Sequence, residues 1–375
     1  MAKKKVSLGG DISKSVKGTF SLDKFKAAKG LGSSNNTFKE QEWIPLSPAW
    51  QEMVSLPGVP KGHITLLRGH SDTGKTTALL EVAVNAQKMG ILPVFIITEM
   101  KWSWEHAIMM GLEVDLEKDD EGNTIGVDGN FIFADRGQLP TVEAVAGFMA
   151  DLMNEQKKGN LPMDICFLWD SIGSVPCQMS VEKAKNNNEW NAGAMSTQFG
   201  NFINQEILLS RKESSPYTNT LVAINKIWVE KPIGPMQPPT MKNKGGNTMF
   251  FDSTLIVTFG NISNSGNLKV NAVKDGKKVE WAKKVKTAVE KNHINGVTTT
   301  GKIIVTPHGF ISDTKKDIDA YKKAHQSEWG AILGDGPIEI VLEGSEAEDF
   351  ENVETKVNEV PGGEPLIIDE STLDA

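Results

Sequence analysis

Cysteine is nearly absent from this chain of 375 residues. Cys166 and Cys177 are the only two, too few for a disulfide framework and without the paired spacing of a zinc ribbon. Both read as reduced thiols, Cys166 as part of a strand core. Long hydrophobic runs are lacking too: none approaches a membrane span, so no membrane partner is expected. The start, Met-Ala-Lys-Lys-Lys, passes into polar residues rather than an apolar core. No secretory leader is therefore expected, and a cytoplasmic location is. No internal repeat is visible.

With 39% hydrophobic and 23% charged residues, the composition is that of an ordinary soluble globular protein. The length suits two or three domains, or one large α/β core with appendages. The net charge of −8 is unevenly placed. From Glu343 onward there are eleven acidic residues and one basic, Lys356, a balance of −10 that leaves +2 for residues 1–342. That acidic tail, with Pro361-Gly362-Gly363 and few aromatics, is expected to be disordered. It either solubilises the chain or competes with a polyanion for the mildly basic body.

Apolar runs alternate with helical patterns along the middle of the chain. Strands are expected at Val94–Thr98, Phe131–Ala134, Ile165–Trp169, Leu221–Asn225 and Leu255–Phe259, with helices at Trp102–Met110, Thr141–Lys158 and about Ala194–Arg211. A short helix capped by Ser47 and a turn at Pro57–Gly62 lead into the first strand. Continuous apolar strands between helices indicate an α/β fold with a mostly parallel central sheet covered on both faces. Asn264–Ile311, with its turns and short β-type runs such as Lys302–Thr306, is expected to extend the sheet with antiparallel strands, and Asp313–Ile332 to form a final helical segment. The expected divisions are an N-terminal arm over residues 1–42, a core over 43–312, a helical segment over 313–342 and the tail over 343–375.

Chemistry enters at Gly69-His70-Ser71-Asp72-Thr73-Gly74-Lys75-Thr76-Thr77, which fits the phosphate-binding pattern G-x-x-x-x-G-K-[ST]. Its glycines let successive N–H groups turn toward phosphate oxygens. Lys75 would reach the β- and γ-phosphates of ATP, and the Thr76 hydroxyl would ligate Mg2+. His63–Arg68 reads as a buried strand entering the loop. Ala78, Leu79, Val82, Ala83, Ala86 and Met89 share one face of a helix that Gly90 would close. The order strand, loop, helix aims a helix N-terminus at the phosphates.

Two acids stand where such a site needs them. Ile165–Trp169 ends in Asp170, placed to hold the metal, or simply a strand end facing solvent. Glu99 ends Val94–Thr98 at the edge where ligands bind in open α/β sheets. It is positioned either as general base for an attacking water or as a capping or salt-bridging residue.

The order of Glu99, Asp170-Ser171, Ala223-Ile224-Asn225-Lys226 and Gly245-Gly246-Asn247 after the phosphate loop resembles the RecA family of homologous-recombination ATPases, and phage-encoded members most. The resemblance covers roughly Ile44 to Phe310. It implies a RecA-like P-loop ATPase core that forms filaments on single-stranded DNA and pairs it with a homologous duplex. It further implies Gly69–Thr77 as the ATP loop, Glu99 as catalytic base, Asp170 as the magnesium-side acid, Asn225 and Lys226 as phosphate sensors, and the host cytoplasm as location. Met179–Met195 would be the first DNA loop and Ile227–Lys244 the second, with Gly245-Gly246-Asn247 following it.

Lys183, Lys185, Lys231, Lys242 and Lys244 can neutralise phosphates, each contact adding about 0.7 to the log–log salt slope on single strands. Trp190 and Trp228 offer stacking surfaces. Neither segment shows a core-facing stripe, so two polar surface loops are the plainer alternative. The family pattern is broken twice: Lys226 replaces the usual Gln, and Glu290-Lys291-Asn292-His293 replaces Lys-Asn-Lys, leaving Lys291 to reach a neighbouring subunit's ATP. The stretch after Glu99, with Trp102 and Trp104, is also unlike the family's adenine-contact region. Phe25-Lys26-Ala27-Ala28 matches the family's F-x-x-A docking pattern, or is an amphipathic stub on its own domain. The competing functions are a hexameric helicase or recombination mediator of the same fold, and a regulatory ATP-binding protein that ignores DNA.

Overall fold

The computed structural model describes residues 21–30, 37–178, 181, 206–230, 240–243, 248–260, 268–328 and 339–343. Helix α1 (Leu22–Ala28) is followed by β1 (Trp43–Pro45), α2 (Pro48–Val54) and β2 (Gly58–Pro60). Then come β3 (Ile64–Gly69), α3 (Lys75–Lys88), β4 (Leu92–Ile97) and α4 (Trp104–Met109). A hairpin of β5 (Asp115–Lys118) and β6 (Thr124–Asp128) precedes β7 (Ile132–Asp135), α5 (Val142–Lys158) and β8 (Ile165–Asp170). The second half contains β9 (Thr220–Glu230), β10 (Thr240–Asn243), α6 (Thr248–Asp252) and β11 (Leu255–Phe259). It continues with β12 (Leu268–Lys274), β13 (Lys277–Asn292), β14 (Thr300–Thr306), β15 (Gly309–Ile311), α7 (Lys315–Ala324) and β16 (Glu339–Glu343).

Twelve of these strands form one mixed sheet. Its parallel part runs β11-β3-β9-β8-β4-β7. The antiparallel part is organised by the long β13, which pairs with β11 and β12 along one side and with β14 along the other; β15 follows β14. β16 adds to β12, and β10 folds back on β9.

Alternation of side chains places successive residues of each parallel strand on opposite faces, and both faces are dry. On one, Leu67, Phe95, Leu168 and Val222 pack with α2 and α3 through Trp50, Leu79, Val82 and Ala83. On the other, Leu66, Val94, Ile96, Phe167, Trp169 and Ala223 pack with α5 through Val145, Met149 and Met153. Each fully buried Val, Leu or Ile contributes roughly 1.5–3 kcal/mol relative to exposure. This two-sided burial makes the strands mostly apolar, and their parallel pairing puts their C-terminal ends along one edge.

Local signals set the helix limits. Ser47 Oγ accepts from Trp50 N at the start of α2, and Thr141 Oγ1 accepts from Ala144 N at the start of α5. Gly159, left-handed at φ 81°, closes α5. The helix expected at Trp102–Met110 begins only at Trp104, because Ser103 takes the cap and accepts from His106 N. In the segment expected to be helical over Asp313–Ile332, α7 starts after the cap Thr314 and ends at Ala324, residues 326–328 are again helical after a turn at His325, and 329–332 lie outside the described residues. Of the helix expected near Ala194–Arg211, residues 206–209 are helical and 194–205 lie outside the described residues, as does the tail from 344. Among the described residues no helix is long and apolar enough to cross a membrane. Cys166 and Cys177 are buried and not disulfide-bonded, Cys166 within β8, where burial pushes its thiol pKa up.

Candidate active site at the strand ends

The phosphate-loop pattern spans the end of β3, the turn His70–Gly74 and the first turn of α3. Gly69 lies beside Phe259 of β11, where a Cβ would stand 2.1 Å from the Phe259 carbonyl oxygen. Gly74, left-handed at φ 90°, begins α3 against Val305 of β14. These two positions explain why glycine brackets the loop: one is closed to any side chain by backbone, the other by its dihedral angle and a close neighbour. Thr73 Oγ1 donates to the His70 carbonyl at 2.9 Å, and Lys75 Nζ donates to the same carbonyl and to Thr73 Oγ1. Lys75 is thus folded into its own loop. Burial lowers its pKa to about 8, against the opposing charge of Asp170.

Thr76 Oγ1 donates to Asp170 Oδ2 at 2.7 Å, joining the first turn of α3 to the end of β8. Burial raises the Asp170 pKa, while the Thr76 hydrogen bond works the other way. A hydroxyl and a carboxylate paired in this way are hard oxygen donors suited to Mg2+. The Asp170–Ser171 peptide bond is cis.

Glu99 follows β4, with its backbone N–H donating to the Asp170 carbonyl at 3.2 Å. Its carboxylate accepts from Lys226 Nζ at 2.5 Å and from Ser171 Oγ at 3.3 Å, and Lys101 Nζ lies 3.5 Å away. Burial alone would raise its pKa, but the Lys226 hydrogen bond and charge, with those of Lys101, hold it below the usual range. Glu99 is therefore ionised and ion-paired, so the salt-bridging alternative describes it here. Lys226 sits level with Gly69, and Asn225, buried, with Arg68.

Beside the loop opens a cleft of about 420 Å³. Asp72–Thr77 form one wall; His106 of α4, Trp281 and Lys283 of β13, and Pro307 after β14 form the others. The sequence offered no signal for His106 or Pro307, a lone histidine in α4 and a turn proline that only the fold brings beside the loop.

Part of this chain is similar to the protein RecA of Aquifex pyrophilus. The two are 43% identical over 77 residues, which is 20% of this chain and 22% of the relative's length. No protein-family model matches the chain.

Other residues singled out in the sequence fall elsewhere. Trp102 and Trp104 pack in an aromatic cluster with Phe95, Phe131 and Phe133, ring centroids 4.9–5.5 Å apart, and are absent from the cleft wall. Lys291 Nζ donates to the carbonyls of Phe250 (3.1 Å) and Phe251 (2.6 Å) in α6. It is paired with Ile256, at the opposite end of β11 from the loop. Arg68 is held by Glu290 and Thr258 and lies 4.9 Å from the Phe250 ring centroid.

The segment Ile227–Lys244 is more regular than expected. Ile227–Glu230 and Thr240–Asn243 pair as an antiparallel hairpin, with Trp228 opposite Lys242, because β9 runs on past the core. Lys231, Lys244, Gly245, Gly246 and Asn247 lie outside the described residues, as do Lys183, Lys185 and Trp190. Helix α1, which carries Phe25-Lys26-Ala27-Ala28, buries none of its residues; Leu22 is 54% and Phe25 44% exposed.

Proposed function

We propose that this chain is a RecA-type recombination ATPase, of the kind phages encode, that binds ATP and Mg2+ at the β3–α3 loop and assembles as a filament on single-stranded DNA. One observation carries the reading: Lys75, the Thr76–Asp170 pair and the Glu99–Lys226 pair converge at the ends of neighbouring parallel strands. The partial similarity to a RecA protein supports it.

In this reading the loop N–H groups and Lys75 bind the phosphates, replacing the lysine's present bond to the His70 carbonyl. Thr76 and Asp170 would hold Mg2+, which neutralises charge on the phosphate oxygens. Glu99 accepts the proton from water as the water oxygen attacks the γ-phosphorus, and the bond to ADP breaks. Lys226 restrains Glu99 until the γ-phosphate offers that ammonium a competing anion. Lys226 thereby takes the place of the family's glutamine as a charged sensor, with Asn225 beside it in β9. Lys291, turned from its own loop, is free to serve a neighbouring subunit's ATP only by leaving the α6 carbonyls. The exposed Phe25 face of α1 supplies the docking contact between subunits. The hairpin bearing Trp228 and Lys242, with the lysines and Gly245-Gly246-Asn247 that follow, would line the DNA, first single strand and then homologous duplex.

Electron microscopy of the full chain with single-stranded DNA, Mg2+ and a slowly hydrolysed ATP analogue tests the assembly. Continuous helical filaments are expected. Closed rings would support the helicase-like reading instead, and no assembly would support a regulatory ATP-binding protein.

A further inference from the structure

Behind the cleft wall, outside all of the machinery described so far, two imidazoles and a carboxylate meet. His308 stands on the turn between β14 and β15, directly after Pro307; His325 caps the C-terminus of α7, and Glu328 follows one turn later. His325 Nδ1 lies 3.0 Å from Glu328 Oε1, and His308 Nε2 lies 3.5 Å from Glu328 Oε2. One ligand atom from each residue falls within 4.8 Å of the others.

We infer that His308, His325 and Glu328 form a binding site for a zinc-type divalent cation, with a fourth position open to water. Two histidines and a glutamate are a donor set that zinc takes in three-ligand sites. Zinc–ligand bonds of about 2.0–2.2 Å in a tetrahedron separate ligand atoms by roughly 3.3–3.6 Å, and the two His–Glu separations, 3.0 and 3.5 Å to different oxygens of Glu328, are close to that.

A second feature sets this cluster apart from a chance gathering. His308 Nδ1 is 2.6 Å from the Tyr321 hydroxyl, whose ring stacks on Trp281 with centroids 5.3 Å apart. A zinc-ligating histidine characteristically donates its other ring N–H to an oxygen acceptor, which fixes the ring and its tautomer, and the Tyr321 hydroxyl oxygen can accept here. Tyr321 thereby leaves Nε2 as the ligand atom of His308. The two imidazoles are stacked at 3.8 Å with 21° between their planes. To aim both lone pairs at one ion, the His325 ring must swing out of the stack; its side chain is 22% exposed at the helix end. Bound, the ion ties the end of α7 to the turn whose Pro307 lines the cleft.

The probe is Zn2+ itself, titrated into metal-stripped full-length protein against a chromophoric chelator, with millimolar Mg2+ present throughout. One equivalent is expected to bind with micromolar or tighter affinity. His308→Gln and His325→Gln should each weaken it by 100-fold or more, and His293→Gln should leave it unchanged. Tyr321→Phe, which removes only the orienting hydroxyl, should weaken it by about 10–100-fold. Glu328→Gln, at a side chain about half exposed, should weaken binding even if a histidine variant fails to fold. No uptake of Zn2+, or uptake that survives both the Glu328 and His325 substitutions, would overturn the assignment.

Discussion

Lys75 is an unusual place to look for a stabilising mutation. In the folded protein Lys75 is 6% exposed, and burial brings its pKa from 10.5 to about 8. The unfolded chain keeps the ordinary value, so the folded state disfavours the charge. The sign follows from linkage. The penalty vanishes above the unfolded pKa, grows as pH falls from about 10.5 to about 8, and is complete at neutral pH. Two and a half pKa units correspond to about 3 kcal/mol as an upper figure. Lys75→Met should therefore raise the stability of the nucleotide-free protein at pH 7 by about 1–3 kcal/mol while abolishing nucleotide binding, a stability cost borne for function.

The same shift ties ATP affinity to protons. A bound triphosphate would restore the lysine's proton, so near pH 8 binding should take up about half a proton, and the apparent Kd should weaken about tenfold between pH 7 and pH 9. Denaturant melts of both proteins, and calorimetric ATP titrations in buffers of different ionisation enthalpy, read the two effects. A melt in which Lys75→Met is no more stable than the parent would refute the reasoning. So would a binding enthalpy independent of buffer.

Further expectations rest on other contacts. Gly74→Ala, at φ 90° with its new Cβ 2.7 Å from Val305 Cγ2, should destabilise the chain by about 1–3 kcal/mol in urea melts. Val305→Ala should recover only the steric part of that loss, and complete recovery would mean that the dihedral angle is unstrained. His63, buried between the Thr254 hydroxyl (3.0 Å) and Gln41 Oε1 (2.9 Å), has its pKa lowered to about 4 by burial and, secondarily, by Arg211. Its folded pKa is depressed, so its stability contribution is full above about 6.5 and lost as pH falls toward 4, up to about 3 kcal/mol. The parent should lose more stability than His63→Asn over that interval, and parallel curves would count against the burial argument.

The parallel half of the sheet was legible because β3, β4 and β8 are buried on both faces, so each is mostly apolar, with Thr65 and Arg68 the polar exceptions in β3 and Asp170 at the end of β8. β13 was not legible as one strand. Its sequence, KKVEWAKKVKTAVEKN, mixes lysines with apolar residues because one half borders β12 and the other β11, and its burial changes along its length. The expectation of antiparallel strands in that region held, but their span did not show. β9 was expected to stop at Asn225, before Lys226 interrupts the apolar run; it continues to Glu230, paired with β10.

At the site, the loop could be read from spacing alone, since Gly69, Gly74, Lys75 and Thr76 are adjacent in the chain. The pairing of Glu99 with Lys226 could not. Glu99 follows β4 and Lys226 lies in β9, with β8 between them, and no local pattern records that strand order. His106 and Pro307 were missed for the same reason. Trp102 and Trp104 drew attention by their position after Glu99, yet their large apolar rings are spent on the cluster around Phe95 and Phe133.

The most direct test of the recombinase reading is the steady-state rate of Mg2+-dependent ATP hydrolysis by the full chain, with and without single-stranded DNA, for the parent and for Glu99→Gln. The account predicts strong stimulation by the DNA in the parent and a loss of 10²-fold or more in the variant, which keeps the side chain's shape but cannot take a proton. Hydrolysis at the same rate with and without DNA, or undiminished hydrolysis by Glu99→Gln, would contradict it.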